Sequence, residues 1–304
     1  MKIAVTGATG FLGRYLVAGL AAAGHDLRLW YRPTSDRSGF ETVADRVQWL
    51  VGGLGDEKAG RELVAGCDAV VHAALYHPGG GFRGGEGEIV PFVEHNVVGT
   101  LRLIEAARAA GVGRFVFIST CAVHEKILEG RPLDETHPLW ATSHYGAHKA
   151  AIEKFVHSYG YGMEYPICAL RPTGIYGLAH PARESKWFDL VQNVVHGRGV
   201  DCRRGGKEVH AADVARAVQI LLAAPVERIR GEAFNCYDMY VSDWDVARLA
   251  KEIAGTSAVI HGAQTAAKNQ IRTEKLRRLG MEFGGQELLH RTVWQLVEAV
   301  RSGS

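Results

Sequence analysis

Tyr145 and Lys149 stand four residues apart near the middle of the 304-residue chain, in the run Tyr145-Gly146-Ala147-His148-Lys149. Positions i and i+4 of an α-helix lie on the same face, so a helix here would place the amine beside the phenol. A phenol has an ordinary pKa of about 10, and a neighbouring ammonium favours the phenolate and lowers that pKa. The pair therefore predicts an acid/base that takes a proton from a hydroxyl group or returns it.

Three glycines follow the apolar run Ile3-Ala4-Val5 and open a helical pattern. In a strand–turn–helix unit, Gly7 would allow a tight turn, Gly10 the approach of a pyrophosphate, and Gly13 close packing of the helix on the sheet. The helix N-terminus would offer unpaired N–H groups and a partial positive charge to phosphates. A turn without a ligand is the alternative. With the phenol–amine pair, the turn indicates hydride chemistry on a nicotinamide dinucleotide.

The second predicted strand ends in Trp30-Tyr31-Arg32-Pro33, and the next carboxylate is Asp36. An acidic residue at this point binds the ribose 2′-hydroxyl of NAD, whereas an arginine accommodates the 2′-phosphate of NADP. Arg32, with Arg37 as a further candidate, therefore favours NADP. NAD is the alternative cofactor, and a solvated surface arginine is the alternative interpretation of Arg32.

Apolar runs alternate with helical patterns over the first two-thirds of the chain. The runs typical of buried strands are Ile3–Thr6, Leu27–Tyr31, Ala69–Ala74, Phe115–Thr120 and Ile167–Arg171. Asn96–Ala110 fits a long helix, and Gly79–Gly87 is expected to be a mobile loop. The alternation predicts an α/β fold, a Rossmann-type doubly wound parallel sheet of about seven strands.

From about Gly174 the apolar runs shorten, and helical spacing returns at Asp213–Ala223 and Ser242–Ala254. Ser242 and Asp245 predict a capping box at the start of the second helix. We expect residues 1–173 to form a nucleotide-binding domain to which 209–237 return. Residues 174–208 and 238–304 are expected to form a smaller, discontinuous substrate-binding domain.

The composition argues against several partners and locations. A net charge of +2 gives no indication of a nucleic-acid or membrane-surface partner. No run of 18 apolar residues exists to span a bilayer. The five cysteines are scattered singly at Cys67, Cys121, Cys168, Cys202 and Cys236. Such a set is typical of reduced thiols, so a cytoplasmic protein is expected.

The chain resembles the extended short-chain dehydrogenase/reductases, also called the NAD-dependent epimerase/dehydratase family. The resemblance lies in Thr6–Gly13, His72-Ala73-Ala74, Asn96 in Asn-Val-Val-Gly-Thr, Ser119-Thr120, Tyr145 with Lys149, Arg171–Gly177 and His210–Ala215. It implies an enzyme that interconverts a secondary alcohol and a carbonyl by hydride transfer. Tyr145 would be the acid/base, Lys149 would tune it and hold the nicotinamide ribose, and Thr120 would orient the substrate oxygen. Ser119 is the alternative to Thr120.

By the same resemblance, cofactor contacts are expected at Gly7, Thr9, Gly10, Phe11, Leu12, Gly13, Arg32, Leu54, Ala73, Ala74, Asn96, Ser119, Tyr145, Lys149, Arg171 and Pro172. Substrate contacts are expected at Tyr76, Cys121, Thr173, Trp187 and Arg204. Helices around 96–110 and 145–158 commonly form a dimer interface in the family, so a homodimer is expected. No metal site is predicted. His144 and His148 have the spacing of a ligand pair, but the sequence supplies neither the glutamate of His-Glu-x-x-His nor a third ligand.

Several positions depart from the family pattern. Gly53-Leu54 replaces the Asp-Leu pair beside adenine, and Val123-His124-Glu125 replaces Val-Tyr-Gly. Cys121-Ala122 stands where the dehydratases carry Asp-Glu, which counts against dehydration. Gly174 and Gly206 stand where members acting on nucleotide sugars carry Asn and Arg, which favours a smaller hydroxyl or ketone substrate. A sugar epimerase that keeps NAD bound and an NADP-sensing regulator without turnover remain the alternatives.

Overall fold

The computed structural model describes residues 1–79 and 84–303. Residues 80–83 of the loop predicted at Gly79–Gly87 lie outside the described residues. The chain divides into two compact units. The first comprises 1–172, 215–236 and 271–281, and the second comprises 173–214, 237–270 and 282–304. Compared with the domains predicted from the sequence, residues 173, 209–214 and 237 group with the second unit and 271–281 with the first.

The strands are β1 (Lys2–Thr6), β2 (Asp26–Tyr31), β3 (Val47–Val51), β4 (Ala69–His72), β5 (Arg114–Ile118), β6 (Ile167–Pro172), β7 (Gly174–Tyr176), β8 (Val200–Cys202), β9 (Gly205–His210), β10 (Ala233–Cys236), β11 (Met239–Ser242) and β12 (Ile260–Gly262). The helices are α1 (Phe11–Ala22), α2 (Glu57–Val64), α3 (Ile89–Val93), α4 (Gly99–Ala109), α5 (His144–His157), α6 (Phe188–Val195), α7 (Ala211–Ala223), α8 (Val226–Ile229), α9 (Asp243–Ala254), α10 (Glu274–Arg277) and α11 (Gly285–Ser302).

The first unit is built on a seven-stranded sheet in the order β10-β6-β5-β4-β1-β2-β3. Every neighbouring pair of these strands is parallel. Residues 3–5 of β1 and 69–71 of β4 are fully buried, as expected for strands covered on both faces. The predicted Rossmann-type parallel sheet is therefore confirmed.

The ends of the predicted strands differ from the observed ones. β4 ends at His72 and β5 at Ile118, so Ala73-Ala74 and Ser119-Thr120 follow their strands rather than ending them. The predicted helix at Asn96–Ala110 begins as a wider π-helical turn over Glu94–Val98, and α4 continues it to Ala109.

The second unit contains a three-stranded sheet in the order β11-β9-β7 and the parallel pair β8–β12. Helices α6, α9 and α11 share one apolar core, which includes Val191, Val246 and Leu296. The predicted capping box is confirmed. Ser242 Oγ accepts from the Asp245 N–H at 3.2 Å, and the Asp245 carboxylate accepts from the Ser242 N–H at 3.0 Å.

The parallel sheet places several segments that carry predicted site residues at one of its edges. Because all seven strands run in one direction, the segments that follow β1, β2, β4 and β5 leave from the same edge. Ligands of open α/β sheets bind at this carboxyl edge. The segments begin at Gly7, Arg32, Ala73 and Ser119. No helix in the described part of the chain is long and apolar enough to cross a bilayer.

Candidate active site

The turn between β1 and α1 depends on its glycines. Gly7 has φ +72°, in the left-handed region, and a Cβ there would lie 2.7 Å from the Ala73 backbone. A Cβ at Gly13 would lie 2.0 Å from the carbonyl oxygen of Gly7. Gly10 is exposed, and the nearest atom to a Cβ there would be 3.4 Å away. The turn is therefore closed at Gly7 and Gly13 and open to a ligand at Gly10.

The N-terminus of α1 fits the pyrophosphate of a dinucleotide. Gly10 is its N-cap residue and makes no side-chain cap, and the first turn carries no acidic residue. The first N–H groups of a helix have no partner within it, and the helix dipole favours an anion at this end. Phe11 and Leu12 supply N–H groups of the first turn, and Thr9, just before them, is half-buried.

The segment after β2 carries the two arginines considered for a 2′-phosphate. Arg32 is exposed, and its backbone N–H donates to Ser35 Oγ at 3.0 Å. The Arg32 guanidinium makes no hydrogen bond or ion pair with another described residue. Arg37 lies over the Tyr31 ring, 3.5 Å from the centroid. Arg32 is thus free to meet an anion, whereas Arg37 is held by an aromatic ring.

A buried hydrogen-bond chain supports the segment after β4. His72 Nδ1 lies 2.6 Å from Thr6 Oγ1, which accepts from the Ala74 N–H at 3.1 Å. His72 Nε2 lies 2.9 Å from Thr100 Oγ1, which donates to the Asn96 carbonyl at 2.6 Å. Because Thr100 Oγ1 already donates to Asn96, it accepts from the His72 Nε2–H, and a neutral imidazole then leaves Nδ1 to accept from the Thr6 hydroxyl. Burial, aided by the charge of Lys149, lowers the pKa of His72 to about 3.

Asn96 holds the backbone of Tyr76, a predicted substrate contact. Its Oδ1 accepts from the Tyr76 N–H and its Nδ2 donates to the Tyr76 carbonyl, each at 2.8 Å. Leu54 is half-buried in the segment that packs on α4. That packing requires Gly99, where a Cβ would lie 2.9 Å from the Gly55 nitrogen.

Thr120 follows β5 and begins a short 3₁₀ helix, Cys121–His124. Its Oγ1 accepts from the Ala122 N–H at 3.1 Å. The hydroxyl hydrogen is therefore left to donate elsewhere, as a residue that orients a substrate oxygen requires.

Lys149 lies against the end of β5. Its side chain is 5% exposed, Nζ donates to the Ile118 carbonyl at 2.8 Å, and Nζ lies 4.7 Å from the centre of the Phe117 ring. Burial lowers the pKa of Lys149 to about 7, and the charge of Glu153 opposes that shift. The Lys149 amine thus binds the carbonyl of Ile118, which is two residues before Thr120 in the chain. Lys149 itself lies about one helical turn after Tyr145 on α5.

Sequence reasoning missed the contacts that fix the start of α5, where Tyr145 is the second residue. The Ser143 side chain caps the helix by accepting from the Gly146 N–H at 3.0 Å. The Glu125 carboxylate accepts from the Ser143 N–H at 2.8 Å and from the Thr142 N–H. Burial alone would raise the pKa of Glu125, but these hydrogen bonds outweigh it and lower that pKa.

Gly146 sets how closely α5 approaches the segment after β5. A Cβ at Gly146 would lie 2.7 Å from the Ala122 carbonyl oxygen and 2.9 Å from the Ala141 Cβ. The first turn of α5, with Tyr145, therefore packs directly on the short helix that Thr120 begins. The structure brings the three predicted catalytic residues into one region of the first unit.

The side chains of Arg171 and Ser119, two predicted cofactor contacts, both bind one buried carboxylate. Arg171 is fully buried, and its Nε donates to both oxygens of the Glu153 carboxylate at 3.0 Å. Ser119 Oγ donates to Glu153 Oε1 at 2.5 Å. A buried carboxylate thus already holds both side chains, and the cofactor contacts at these two residues stay predictions. Spacing would have indicated Glu153, which is four residues after Lys149.

The thiol of Cys121, a predicted substrate contact, is also held by a buried partner. This thiol is buried and donates to the Arg171 carbonyl at 3.0 Å. Burial raises its pKa to about 12. The substrate contact at Cys121 stays a prediction. Pro172 is buried at the end of β6, where it pairs with Cys236.

The remaining predicted substrate residues belong to the second unit. The Thr173 hydroxyl is buried without a hydrogen-bond partner among the described residues. Trp187 has φ +69° and packs on Tyr176 with ring centroids 5.3 Å apart, next to the core of the unit. Arg204 is exposed, and its carbonyl accepts from the Asp243 N–H at 2.9 Å.

Glu208 occupies the space beside the two glycines that depart from the family pattern. Gly174 on β7 pairs with Glu208 on β9. A Cβ at Gly174 would lie 2.6 Å from Glu208 Oε2, and one at Gly206 would lie 2.3 Å from Oε1. The carboxylate is buried, Lys186 donates to Oε1, and Oε2 has no partner among the described residues. A side chain at either glycine would displace this carboxylate.

Of the two histidines with the spacing of a ligand pair, His144 is exposed and His148 packs inside the first unit. The His148 ring lies 5.0 Å from the Phe92 ring, and burial lowers its pKa to about 3. Within residues 1–79 and 84–303, no group of three or more His, Cys, Asp or Glu side chains is placed to hold a metal ion.

Comparisons with known proteins agree with this geometry. A model of the NAD dependent epimerase/dehydratase family matches residues 3–236. The chain therefore belongs to the NAD-dependent epimerase/dehydratase family. The relatives that it matches are enzymes.

Two curated relatives and one solved structure illustrate the range. A 4-hydroxy-2-methyl-3-oxo-4-farnesyl-3,4-dihydroquinoline-1-oxide ketoreductase of Stigmatella aurantiaca is 34% identical over 63% of this chain and 55% of its own. A dTDP-D-glucose 4,6-dehydratase of Mus musculus is 33% identical over 53% of this chain and 45% of its own. The matches thus span about half the length of these relatives. The UDP-glucose 4-epimerase of Thermus thermophilus, in complex with NAD, is 25% identical with a TM-score of 0.78 over 100% of both chains.

Proposed function

We propose that the chain is an NAD(P)-dependent oxidoreductase that interconverts a secondary alcohol and a carbonyl and prefers NADP. The observation that carries the proposal is the buried Lys149 amine, held at the end of β5 on the same face of α5 as Tyr145. The ketoreductase relative, at 34% identity, supports the same reaction type.

The residues have distinct roles in the direction of reduction. When bound, the reduced nicotinamide supplies the hydride. The Tyr145 hydroxyl gives its proton to the carbonyl oxygen, and solvent later returns a proton to the phenolate. The Lys149 ammonium favours that phenolate. Thr120 donates a hydrogen bond to the same substrate oxygen, since its own oxygen already accepts from the Ala122 N–H.

NADP is proposed because Arg32 is exposed after β2 and its guanidinium is unpaired among the described residues. Arginine recognises phosphate through several directed N–H groups. Replacing Arg32 with Gln should weaken NADPH binding at least about tenfold, the loss of about one charged hydrogen bond, and leave NADH binding unchanged. Titrations of both cofactors by fluorescence, in wild type and variant, check this preference.

A ketone or small hydroxyl compound is proposed as substrate rather than a nucleotide sugar. The Glu208 carboxylate fills the volume beside Gly174 and Gly206, so neither an amide nor a guanidinium side chain fits there.

The test follows the absorbance of reduced nicotinamide while the purified chain is incubated with NADPH and a panel of ketones. We expect stoichiometric loss of the absorbance as alcohol forms. The Tyr145→Phe variant should retain cofactor binding and lose at least about a hundredfold in kcat, the contribution typical of a general acid. Equal turnover by this variant would contradict the mechanism.

The first alternative is a sugar epimerase that keeps NAD bound, which the likeness to the NAD-bound Thermus thermophilus enzyme supports. It predicts interconversion of sugar isomers with no net change in nicotinamide absorbance. The second alternative is a regulator that binds NADP without turnover. The buried amine beside Tyr145 argues against it, since a regulator needs no charged lysine in its core.

A homodimer is also proposed. Helices α3 and α5 and the turn before α4 expose Val90, Val93, Phe155 and Val98, which are 37–63% accessible. A second copy of the chain would cover such apolar side chains. Light scattering should give twice the mass of one chain, and a monomer mass would contradict the proposal.

A further inference from the structure

Three side chains on α5 lie in successive turns on one side of the helix. Tyr145, Lys149 and Glu153 are each separated by four residues, the spacing that aligns side chains on one face. The first two are the proposed acid/base pair. Glu153 is fully buried and has no role in the proposed proton transfer.

Glu153 connects α5 to the two strands that lie under it. Its Oε1 accepts from the Ser119 hydroxyl at 2.5 Å, just after β5. Both of its oxygens accept from Arg171 Nε at 3.0 Å, and Oε2 also accepts from Nη2 at 2.5 Å, on β6. Ser119 directly precedes Thr120, so one carboxylate fixes the neighbour of the proposed oxygen-orienting residue and the helix that carries Tyr145.

We propose that Glu153 is a positioning residue of the reaction, which keeps the Lys149 amine protonated beside Tyr145 and fixes the backbone of Thr120 through Ser119. The inference rests on the proposed function. Removing the negative charge would make a buried ammonium less favourable, and Tyr145 would lose its charged partner as the pH rises.

The buried histidines of this region carry no charge that would replace that of Glu153. Burial lowers the pKa of His72 on β4 and of His148 on α5 to about 3. Burial also lowers the pKa of His124, after β5, to about 4. These three imidazoles are therefore neutral near neutral pH. Among the described residues, the other charged groups of this region include Arg171, which Glu153 binds, and Glu135, which lies near Arg171. Burial raises the pKa of Glu135.

The experiment compares two matched carboxylates in the first unit. Glu153→Gln keeps the shape and a hydrogen-bond acceptor for Ser119 but removes the charge. Glu232→Gln is the control, because Glu232 also accepts from a hydroxyl, that of Tyr161 at 2.7 Å, and from a cation, Lys275. The readout is kcat for ketone reduction by NADPH, measured from about pH 5 to about pH 9 together with the thermal midpoint.

We expect the fall in kcat at high pH to move about one unit lower in Glu153→Gln, the range that a lost opposite charge produces. Near pH 8 this is a loss of about tenfold, whereas near pH 5 the two enzymes should be similar. Glu232→Gln should lower the thermal midpoint and leave the profile in place. Glu153→Asp, which keeps the charge, should restore most of the wild-type profile. Superimposable profiles for wild type and Glu153→Gln would overturn the inference.

Two further measurements keep the outcome clear. If Arg171, left unpaired, prevents Glu153→Gln from folding, the double variant Glu153→Gln/Arg171→Met removes both charges, and the same shift is expected. The Lys149 amine is also titrated directly by NMR of ¹³C-labelled lysine, with Lys149→Arg for assignment. A pKa lowered by about one unit in Glu153→Gln supports the inference even if no ketone is reduced, in which case only the proposed function fails. An unchanged Lys149 titration refutes it.

Discussion

Acid should weaken the first unit in part through His72, one of its buried histidines. This side chain joins Thr6 on β1 to Thr100 on α4, and in its neutral form Nδ1 accepts from the Thr6 hydroxyl while Nε2 donates to Thr100. In the unfolded chain a histidine has a pKa of about 6.5. In the fold, burial and the charge of Lys149 lower the pKa of His72 to about 3.

The sign of the effect follows from these two values. Below about pH 6.5 the unfolded chain takes up a proton that the folded chain does not, so stability present at neutral pH is lost as the pH falls. The loss is about 1.4 kcal/mol for each pH unit between the two pKa values. From about pH 6.5 to about pH 5, His72 alone should therefore cost about 2 kcal/mol of unfolding free energy.

The assay is urea unfolding followed by circular dichroism at about pH 7 and about pH 5, for wild type and His72→Gln. The variant is less stable at both pH values, but its deficit should shrink by about 2 kcal/mol at the lower pH, since glutamine takes up no proton. His144→Gln, at an exposed position that starts α5, is the control and should keep the wild-type pH dependence. An equal loss of stability in wild type and His72→Gln would refute the assignment of a neutral, buried His72.

Two other consequences follow from the geometry. Gly13→Ala places a methyl group 2.0 Å from the Gly7 carbonyl, so the thermal midpoint and cofactor affinity should both fall, with about 1–3 kcal/mol of overpacking cost. Gly162→Ala, where no atom lies within 4 Å of the added carbon, should change neither in a thermal melt or a cofactor titration. The Cys121 thiol, whose pKa burial raises to about 12, should resist iodoacetamide in the folded protein and react after denaturation. Mass spectrometry of the Cys121 peptide detects the label, and fast labelling of the native protein would contradict the buried assignment.

The fold was predictable because the central strands are buried on both faces. Residues 3–5 and 69–71 are continuous apolar runs, a pattern that needs no knowledge of distant partners. β3 was missed because its residues, Val47–Val51, lie at the edge of the sheet and are partly exposed. β7, β8 and β12 have three residues each, which is too short for a period-two pattern to show.

The parts of the site that were predictable are those whose residue pattern lies within one short segment of the chain. The glycine turn and the Tyr145–Lys149 pair are of this kind, since their spacing alone fixes which groups face each other. The roles of Ser119 and Arg171 were not, because both depend on Glu153, which is 34 residues from one and 18 from the other. A sequence read without coordinates gives no measure of which distant charge a buried arginine will meet.

The triplet Val123-His124-Glu125 shows how such a distant contact changes an interpretation. In sequence it is a departure from the family pattern and leaves the arrangement of that segment open. In the structure, His124 Nε2 accepts from Arg171 Nη1 at 3.1 Å, and Glu125 holds the backbone at Ser143 before α5. The two departing residues thus support the buried ion pair under Lys149 and the cap before Tyr145. Because Glu125 holds the segment just before α5 and His124 contacts the arginine that binds Glu153 of α5, the departure is compatible with the proposed chemistry and gives no argument against catalysis.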